Sequence, residues 1–351
     1  MSWQTNVRKV VPYVPGEQPK EKNIIKINTN ECPYPPAPAV RDMLKKMDYD
    51  MFRFYPAPAA DSLVNELAKY YGLSPKQVFV GVGSDDVIAM SFLTFFNSDK
   101  PVFFPDVTYS FYSVWADVYK IPYEKQPLDK DFKMRPDDYL KPNGGIIFPN
   151  PNAPTGILES LDTVEYIVKN NPGSVVIVDE AYIDFGGESA LKFIEKYENL
   201  LIVQTFSKSR AMAGMRIGYA MGSEKLIKYL NDVKFSINSY TMNTPSLILG
   251  PFALQDEKYF RETLDKIINT REWMKSELAK LGFEFPDSMS NFVFAKHPLY
   301  KATDIMEFLR ENRIIVRHFN QPRINDYLRI SVGTDGQAKA LIMALDKMIN
   351  G

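Results

Sequence analysis

The chain has a single cysteine, Cys32, among 351 residues, so no disulfide can form within it. That usage fits a reducing compartment. Histidine is nearly as scarce. His297 and His318 are the only two and both lie late in the chain, which leaves a Ser-His-Asp hydrolase or a histidine-rich metal site without support. Net charge is also missing: 42 Lys and Arg against 43 Asp and Glu give −1, so no global field draws the chain to nucleic acid or to anionic lipid. No apolar run approaches the length of a membrane span, and the first twenty residues lack the apolar core of a signal peptide. The expectation is a cytoplasmic protein that meets anions through local sites.

What remains is ordinary globular composition, 45% hydrophobic and 24% charged. Proline crowds residues 1–40 (VPYVPGEQP, CPYPPAPAV), which predicts an extended arm. Beyond it an α/β alternation begins. DSLVNELAKYYG (61–72) reads as a helix capped by Asp61 and stopped by Gly72. Apolar runs at 77–83, 101–105, 144–151, 174–182 and 200–207 read as strands of a parallel sheet covered on both faces. Helices are expected at 84–97 and 109–120, between the third and fourth of these strands, and after the fourth. This gives a large α/β domain over 41–250 with six or seven strands. The character changes after Pro245. A long amphipathic helix at 257–282 and shorter elements to the C-terminus predict a smaller α/β domain over 251–351. There is no internal repeat.

In open α/β sheets, ligands sit at the carboxyl ends of the strands, so the residues just past each strand carry the information. Ser84, Asp85 and Asp86 open a helix, where backbone N–H groups and the helix dipole favour a phosphate; the same residues also serve as ordinary caps. The segment is not a dinucleotide fingerprint, because G-x-G-x-x-G is absent. Asn150-Pro151-Asn152-Ala153-Pro154-Thr155-Gly156 is a long run of turn formers directly after a buried strand. Asp179 ends another strand, where a carboxylate is costly unless it meets a cation or several donors, and Tyr182 lies three residues on. After LLIVQ come Thr205, Ser207 and Lys208. A lysine screened from water becomes a nucleophilic amine able to condense with a carbonyl. Arg216, further on, offers a planar fork for phosphate. Each signal alone is weak. Together they describe one ligand, pyridoxal 5′-phosphate: an aldehyde for Lys208, a ring nitrogen for Asp179, a ring hydroxyl for Asn152 and Tyr182, and a phosphate for Ser84, Ser207 and Arg216. Tyr109 is placed to cover the ring face.

The motifs PYVPGEQ, INTNECP, RFYPAP, GVGSDD, FPNPNAPTG, VIVDEAYIDF, TFSKSRAMAGMRIGYAMG, IIVRHF and YLRISVGT occur in the order they have in fold-type-I, aspartate-aminotransferase-like enzymes. Within that group the chain most closely resembles the histidinol-phosphate aminotransferases, over nearly its whole length. The resemblance implies a large domain with a mostly parallel seven-stranded sheet, and Lys208 as the lysine that forms the Schiff base with the cofactor. It implies Asp179 on the pyridinium, Asn152 and Tyr182 on the ring oxygen, and Tyr109 on the ring. Ser84, Asp85, Thr205, Ser207 and Arg216 would surround the phosphate. Tyr55 would reach the cofactor of a neighbouring subunit, implying a homodimer. Arg329 is implied on a substrate carboxylate, Arg317 and Tyr13 on a substrate phosphate, and Asn30 at the substrate mouth. The implied reaction moves an amino group between histidinol phosphate and 2-oxoglutarate in histidine biosynthesis. An aromatic transaminase and a phosphothreonine decarboxylase share the same pattern. A DNA-binding regulator would need an added basic module that the chain lacks. The chain departs from the pattern at Cys32, Ala153 and Asp86.

Overall fold

The computed structural model describes residues 2–21 and 23–351; Met1 and Lys22, both in the expected arm, lie outside the described residues. In chain order the elements are β1 (Ile25–Lys26), α1 (Pro38–Leu44), α2 (Asp61–Tyr71), β2 (Val78–Gly81), α3 (Ser84–Phe95), β3 (Val102–Pro105), α4 (Phe111–Tyr119) and β4 (Tyr123–Gln126). Next are β5 (Gly145–Pro149), α5 (Leu161–Lys169), β6 (Val176–Asp179), β7 (Leu200–Thr205), β8 (Gly218–Gly222), α6 (Glu224–Ile237), α7 (Thr244–Gln255) and α8 (Glu257–Lys280). The chain closes with β9 (Phe292–Ala295), α9 (Ala302–Glu311), β10 (Ile314–Ile315), β11 (Arg317–His318), β12 (Leu328–Ser331) and α10 (Asp335–Asn350).

The large sheet has seven strands in the order β2-β8-β7-β6-β5-β3-β4. All its pairings are parallel except those of β8, which runs antiparallel to both β2 and β7. Its strands are apolar throughout because both faces are covered. In β6, Val176 and Val178 enter one core while Ile177 enters the other; Leu200 and Ile202 of β7 divide from Leu201 and Val203 in the same way. Burying each such side chain contributes roughly 1.5–3 kcal/mol. A second core gathers α8, α9 and α10 around the three-stranded antiparallel sheet β11-β12-β9. Part of the expected arm is a strand: β1 pairs in parallel with β10, Ile25 opposite Ile314. Helix α7 runs across residue 250, and its Leu247, Leu249, Ala253 and Leu254 pack into the large core.

Three local expectations change. Asp61 does not cap α2: the cap position is Ala60, in the left-handed region with no side-chain bond, and Asp61 is the first helical residue. No α-helix comes directly after β6. Gly186 takes φ 140° and interrupts the segment, which forms the short 3₁₀ turns Ile183–Phe185 and Ala190–Phe193, the second capped by Ser189. Two strands lie outside the apolar-run pattern. β4 (YEKQ) is an edge strand with exposed charges, and β8 (GYAMG) is short and begins on a glycine.

Candidate active site

The parallel strands aim their carboxyl ends at one cavity of about 260 Å³. Ser84, Asp85, Tyr109, Asp179, Tyr182, Thr205, Ser207, Lys208 and Arg216 all line it, with Gln18, Thr29 and Glu31 from the N-terminal segment. Nine of the residues singled out in the sequence therefore meet in one place.

Asp179 closes β6 and is buried. Its Oδ2 accepts the Tyr112 hydroxyl at 2.8 Å and its Oδ1 accepts the Ala181 N–H at 3.2 Å. Burial pushes its carboxyl up to about 6, against the pull of the Tyr112 bond. No cation of the described residues forms an ion pair with it, so the carboxylate is left to meet a positive group of a ligand. Tyr112 is one helical turn from Tyr109; that i, i+3 spacing was the signal that could have found it.

Lys208 lies just past β7. Its Nζ is 5.7 Å from the centre of the Tyr182 ring and reaches the Thr29 carbonyl only at 3.4 Å. The loop just after it is pinned. Ser209 donates to Asp184 at 2.5 Å, and Arg210 donates to the Ala253 carbonyl at 2.8 Å with its guanidinium 3.7 Å from the Phe260 ring centre.

At the other end of the cavity, Arg216 holds a left-handed backbone (φ 52°). Its Nη1 reaches Ser207 Oγ at 3.4 Å and its Nη2 lies 3.6 Å from Asp85. The Thr205 hydroxyl donates to Ser207 Oγ at 3.0 Å. Helix α3 begins beside them with Gly83 at its cap (φ 87°) and no capping side chain, so its first-turn N–H groups are left for an anion. Two glycines make the cradle. A Cβ on Gly83 would collide with the Arg216 guanidinium, and one on Gly218 would run into the backbone of Gly83 and Ser84. Gly218→Ala should therefore empty the site of phosphate ligands and cost more than about 2 kcal/mol of stability. Calorimetry and the bound-cofactor absorbance check both, and wild-type retention would disprove the cradle.

Tyr109 donates to Asp85 at 2.8 Å. Burial drives its hydroxyl well above the usual phenol range, so it stays protonated. Asn152 sits just behind the cavity, its amide donating to the Val107 carbonyl and to Thr155 Oγ1, both at 3.0 Å. Asn30 is also buried. It donates to the Tyr182 hydroxyl at 2.9 Å and accepts from Ser331 at 2.9 Å, so its side chain orients Tyr182.

Arg317 and Arg329 are not among the residues that line this cavity; β11 and β12 set them directly opposite each other. Like charges at opposed positions repel, an arrangement that favours a bound anion. Arg329 donates to the Asn28 carbonyl at 3.0 Å, and its Nε is buried with no partner among the described residues. Burial pulls its guanidinium below the ordinary range, and Arg317 adds to that. Arg317 donates to the carbonyls of Val14 and Pro15, at 3.3 and 3.4 Å, and forms no ion pair among the described residues. Tyr13 of the same arm stacks on Phe111 with ring centres 4.1 Å apart. Tyr55 lies elsewhere: it is 82% exposed, against Tyr240, and does not line this cavity.

The donor set fits pyridoxal 5′-phosphate. A buried carboxylate and a lysine, neither in an ion pair among the described residues, and an arginine-glycine cradle face one another across a space of the right scale. No group of three or more potential metal ligands occurs among the described residues.

Comparison with known proteins agrees. Residues 22–345 match the family described as "Aminotransferase class I and II". A histidinol-phosphate aminotransferase of Lactococcus lactis subsp. cremoris is 50% identical over 99% of this chain and 98% of its own length. Histidinol-phosphate aminotransferase 1 of Hydrogenovibrio crunogenus is 51% identical over the same shares. The histidinol-phosphate aminotransferase structure from Clostridium acetobutylicum superposes with a TM-score of 0.86, covering 93% of this chain and 99% of that one at 21% identity. The enzyme of that name from Sinorhizobium meliloti, solved with pyridoxal-5′-phosphate, gives 0.85, with 93% and 90% covered at 22% identity. The chain belongs to the class I and II aminotransferases, the pyridoxal phosphate-dependent transaminases.

Proposed function

We propose that the protein transfers the amino group of histidinol phosphate to 2-oxoglutarate, a step of histidine biosynthesis. Identity near 50% with histidinol-phosphate aminotransferases along 99% of the chain is the observation that carries the substrate.

Bound pyridoxal 5′-phosphate supplies an electrophilic aldehyde and a ring that accepts electrons. The chain's residues do the rest. With the cofactor bound, Lys208 would be the residue to hold its aldehyde and to move the proton at the amine-bearing carbon of the substrate. Asp179 would face the ring nitrogen and keep it protonated, and Tyr112 holds the Asp179 carboxylate in place. Tyr109 would cover the ring, and Asn152 and Tyr182 would hold its oxygen. Ser84, Asp85, Thr205, Ser207 and Arg216 would surround the phosphate. Tyr55, exposed on its own subunit, completes the site of a second copy, so the active form is a homodimer. No helix of the described residues is long and apolar enough to cross a membrane; a step of histidine biosynthesis would be carried out in the cytoplasm. An arm over 1–40, a cofactor domain over 41–250 and a small domain over 251–351 divide the labour.

One pocket must accept a phosphate monoester in one half-reaction and a dicarboxylate in the other. Arg317 and Arg329, with Tyr13 beside them, are the anion sites for this dual use. The test is a single-turnover half-reaction on cofactor-loaded protein without 2-oxoglutarate, offered histidinol phosphate, phenylalanine or phosphothreonine. Fast bleaching of the yellow absorbance by histidinol phosphate is expected; faster bleaching by phenylalanine would reassign the substrate. Arg317→Ala should weaken histidinol phosphate by a factor of about 10–100, the worth of a charge-assisted bond, and phenylalanine far less. Equal losses would remove Arg317 from phosphate recognition.

A further inference from the structure

The loop that joins β11 to β12 carries one more arginine. Arg323 holds a left-handed backbone (φ 70°), and its side chain leaves the small sheet altogether. Nη1 donates to Asp106 Oδ2 at 2.7 Å. Nη2 donates to the carbonyls of Asp129 at 2.7 Å and Leu128 at 3.2 Å, with the guanidinium 5.3 Å from the Phe132 ring centre. All of these acceptors belong to the large domain.

Asp106 is engaged from its other side as well. Its Oδ1 accepts the N–H groups of Val107 and Leu128, both at 2.9 Å. From there the chain runs straight into the site. Asn152 donates to the Val107 carbonyl, Thr108 donates to Asn152 Oδ1 at 3.2 Å, and Tyr109 comes next. The contact continues at Phe132, which meets Phe294 of β9 and Tyr327 edge-on at 6.1 and 5.6 Å. One guanidinium thus joins the strand pair that bears Arg317 and Arg329 to the loop that sets Tyr109 and Asn152.

We propose that Arg323 is a positioning residue for substrate recognition. It fixes the separation between the two anion-binding arginines and the ring-facing loop, without touching substrate. A partly exposed ion pair alone contributes little. The fixing power comes from geometry: a planar fork bonded to a carboxylate and two carbonyls at once defines both distance and orientation, which a lysine cannot reproduce. The ends of a substrate are separated by a set length, so a shift of the anion sites by a fraction of an ångström acts on binding before it acts on the chemistry.

This inference rests on the anion-site reading of Arg317 and Arg329. The experiment uses the cofactor-loaded full chain with Arg323→Ala, Arg323→Lys, Asp106→Asn and the double variant Arg323→Ala/Asp106→Asn. Steady-state kinetics are read with histidinol phosphate and, separately, with glutamate in the reverse direction. Expected for Arg323→Ala is a rise in KM of about 5–20-fold for both substrates, a change in kcat below about threefold and an unaltered cofactor spectrum. Lysine should rescue only in part, and the double variant should be no worse than Arg323→Ala alone. Unchanged KM values, or a fall in Tm accompanied by equal losses in kcat and kcat/KM, would overturn it. Should the wild type use glutamate but not histidinol phosphate, the substrate reading fails by itself, and the glutamate KM still decides the role of Arg323.

Discussion

Lys208→Ala is expected to slow the half-reaction by a factor on the order of 10⁴ or more while the protein stays folded and keeps its phosphate cradle. The size reflects two losses at one atom. The substitution removes both the nucleophilic amine and the base that moves the proton, and a positioned acid–base group alone contributes about 10²–10⁴. The fold should tolerate it, since Lys208 makes no ion pair among the described residues and its one bond, to Thr29, is long. Its neighbours Ser209 and Arg210 keep the loop in place. Stopped-flow absorbance with histidinol phosphate measures the rate, and a small added amine should restore part of it. A rate within tenfold of wild type would remove Lys208 from the chemistry.

The second large effect has two opposite signs. Asp179→Asn should reduce turnover by at least about 10²-fold, because the group facing the ring nitrogen loses its charge. The same change should stabilise the cofactor-free protein at pH 8. In the fold, burial holds this carboxyl at about 6, against an ordinary value of 3.8. The folded state therefore binds the proton more tightly than the unfolded one. Stability from this group is fully present below about pH 4 and is lost as the pH rises through 6. About two pH units correspond to on the order of 2–3 kcal/mol. Asparagine does not ionise, so its advantage should be largest at pH 8 and shrink as the pH falls from 6 to 4. The neighbouring Glu180, which burial raises to about 7, is common to both proteins and drops out of the difference. Urea unfolding across that range decides the matter, and a pH-independent difference would contradict the burial argument. An active site that weakens its own fold is a familiar cost of function.

Much of this was legible because buried parallel strands announce themselves as apolar runs and the ligand groups come directly after them. Asp179, Thr205 and Lys208 needed only the rule that ligands gather at strand ends. The edge strand β4 was not legible, since YEKQ pairs on one side only and keeps its charges in solvent. Nor was β8, where Gly218 must be small to let Gly83 approach and so dilutes the strand signal. Tyr112 acts through another side chain, the bond from Asn30 to Tyr182 was not foreseeable though Asn30 itself was, and Arg323 bonds across a gap of about two hundred residues; none of these partners is adjacent in sequence.

The antiparallel insertion of β8 also bears on the order of folding. Because β8 turns back beside β7, Lys208 and Arg216 belong to one short excursion between hydrogen-bonded neighbours. Closing so small a loop costs little entropy, and its contacts form early. The anion-binding strands are equally local, since β11 and β12 pair within one hairpin with Arg317 opposite Arg329; the long-range closure is β1 against β10, which ties residues 25–26 to 314–315. Both halves of the site can therefore form from local contacts, and the pairing that fastens the N-terminal segment to the far end of the chain is the one that costs most in loop closure.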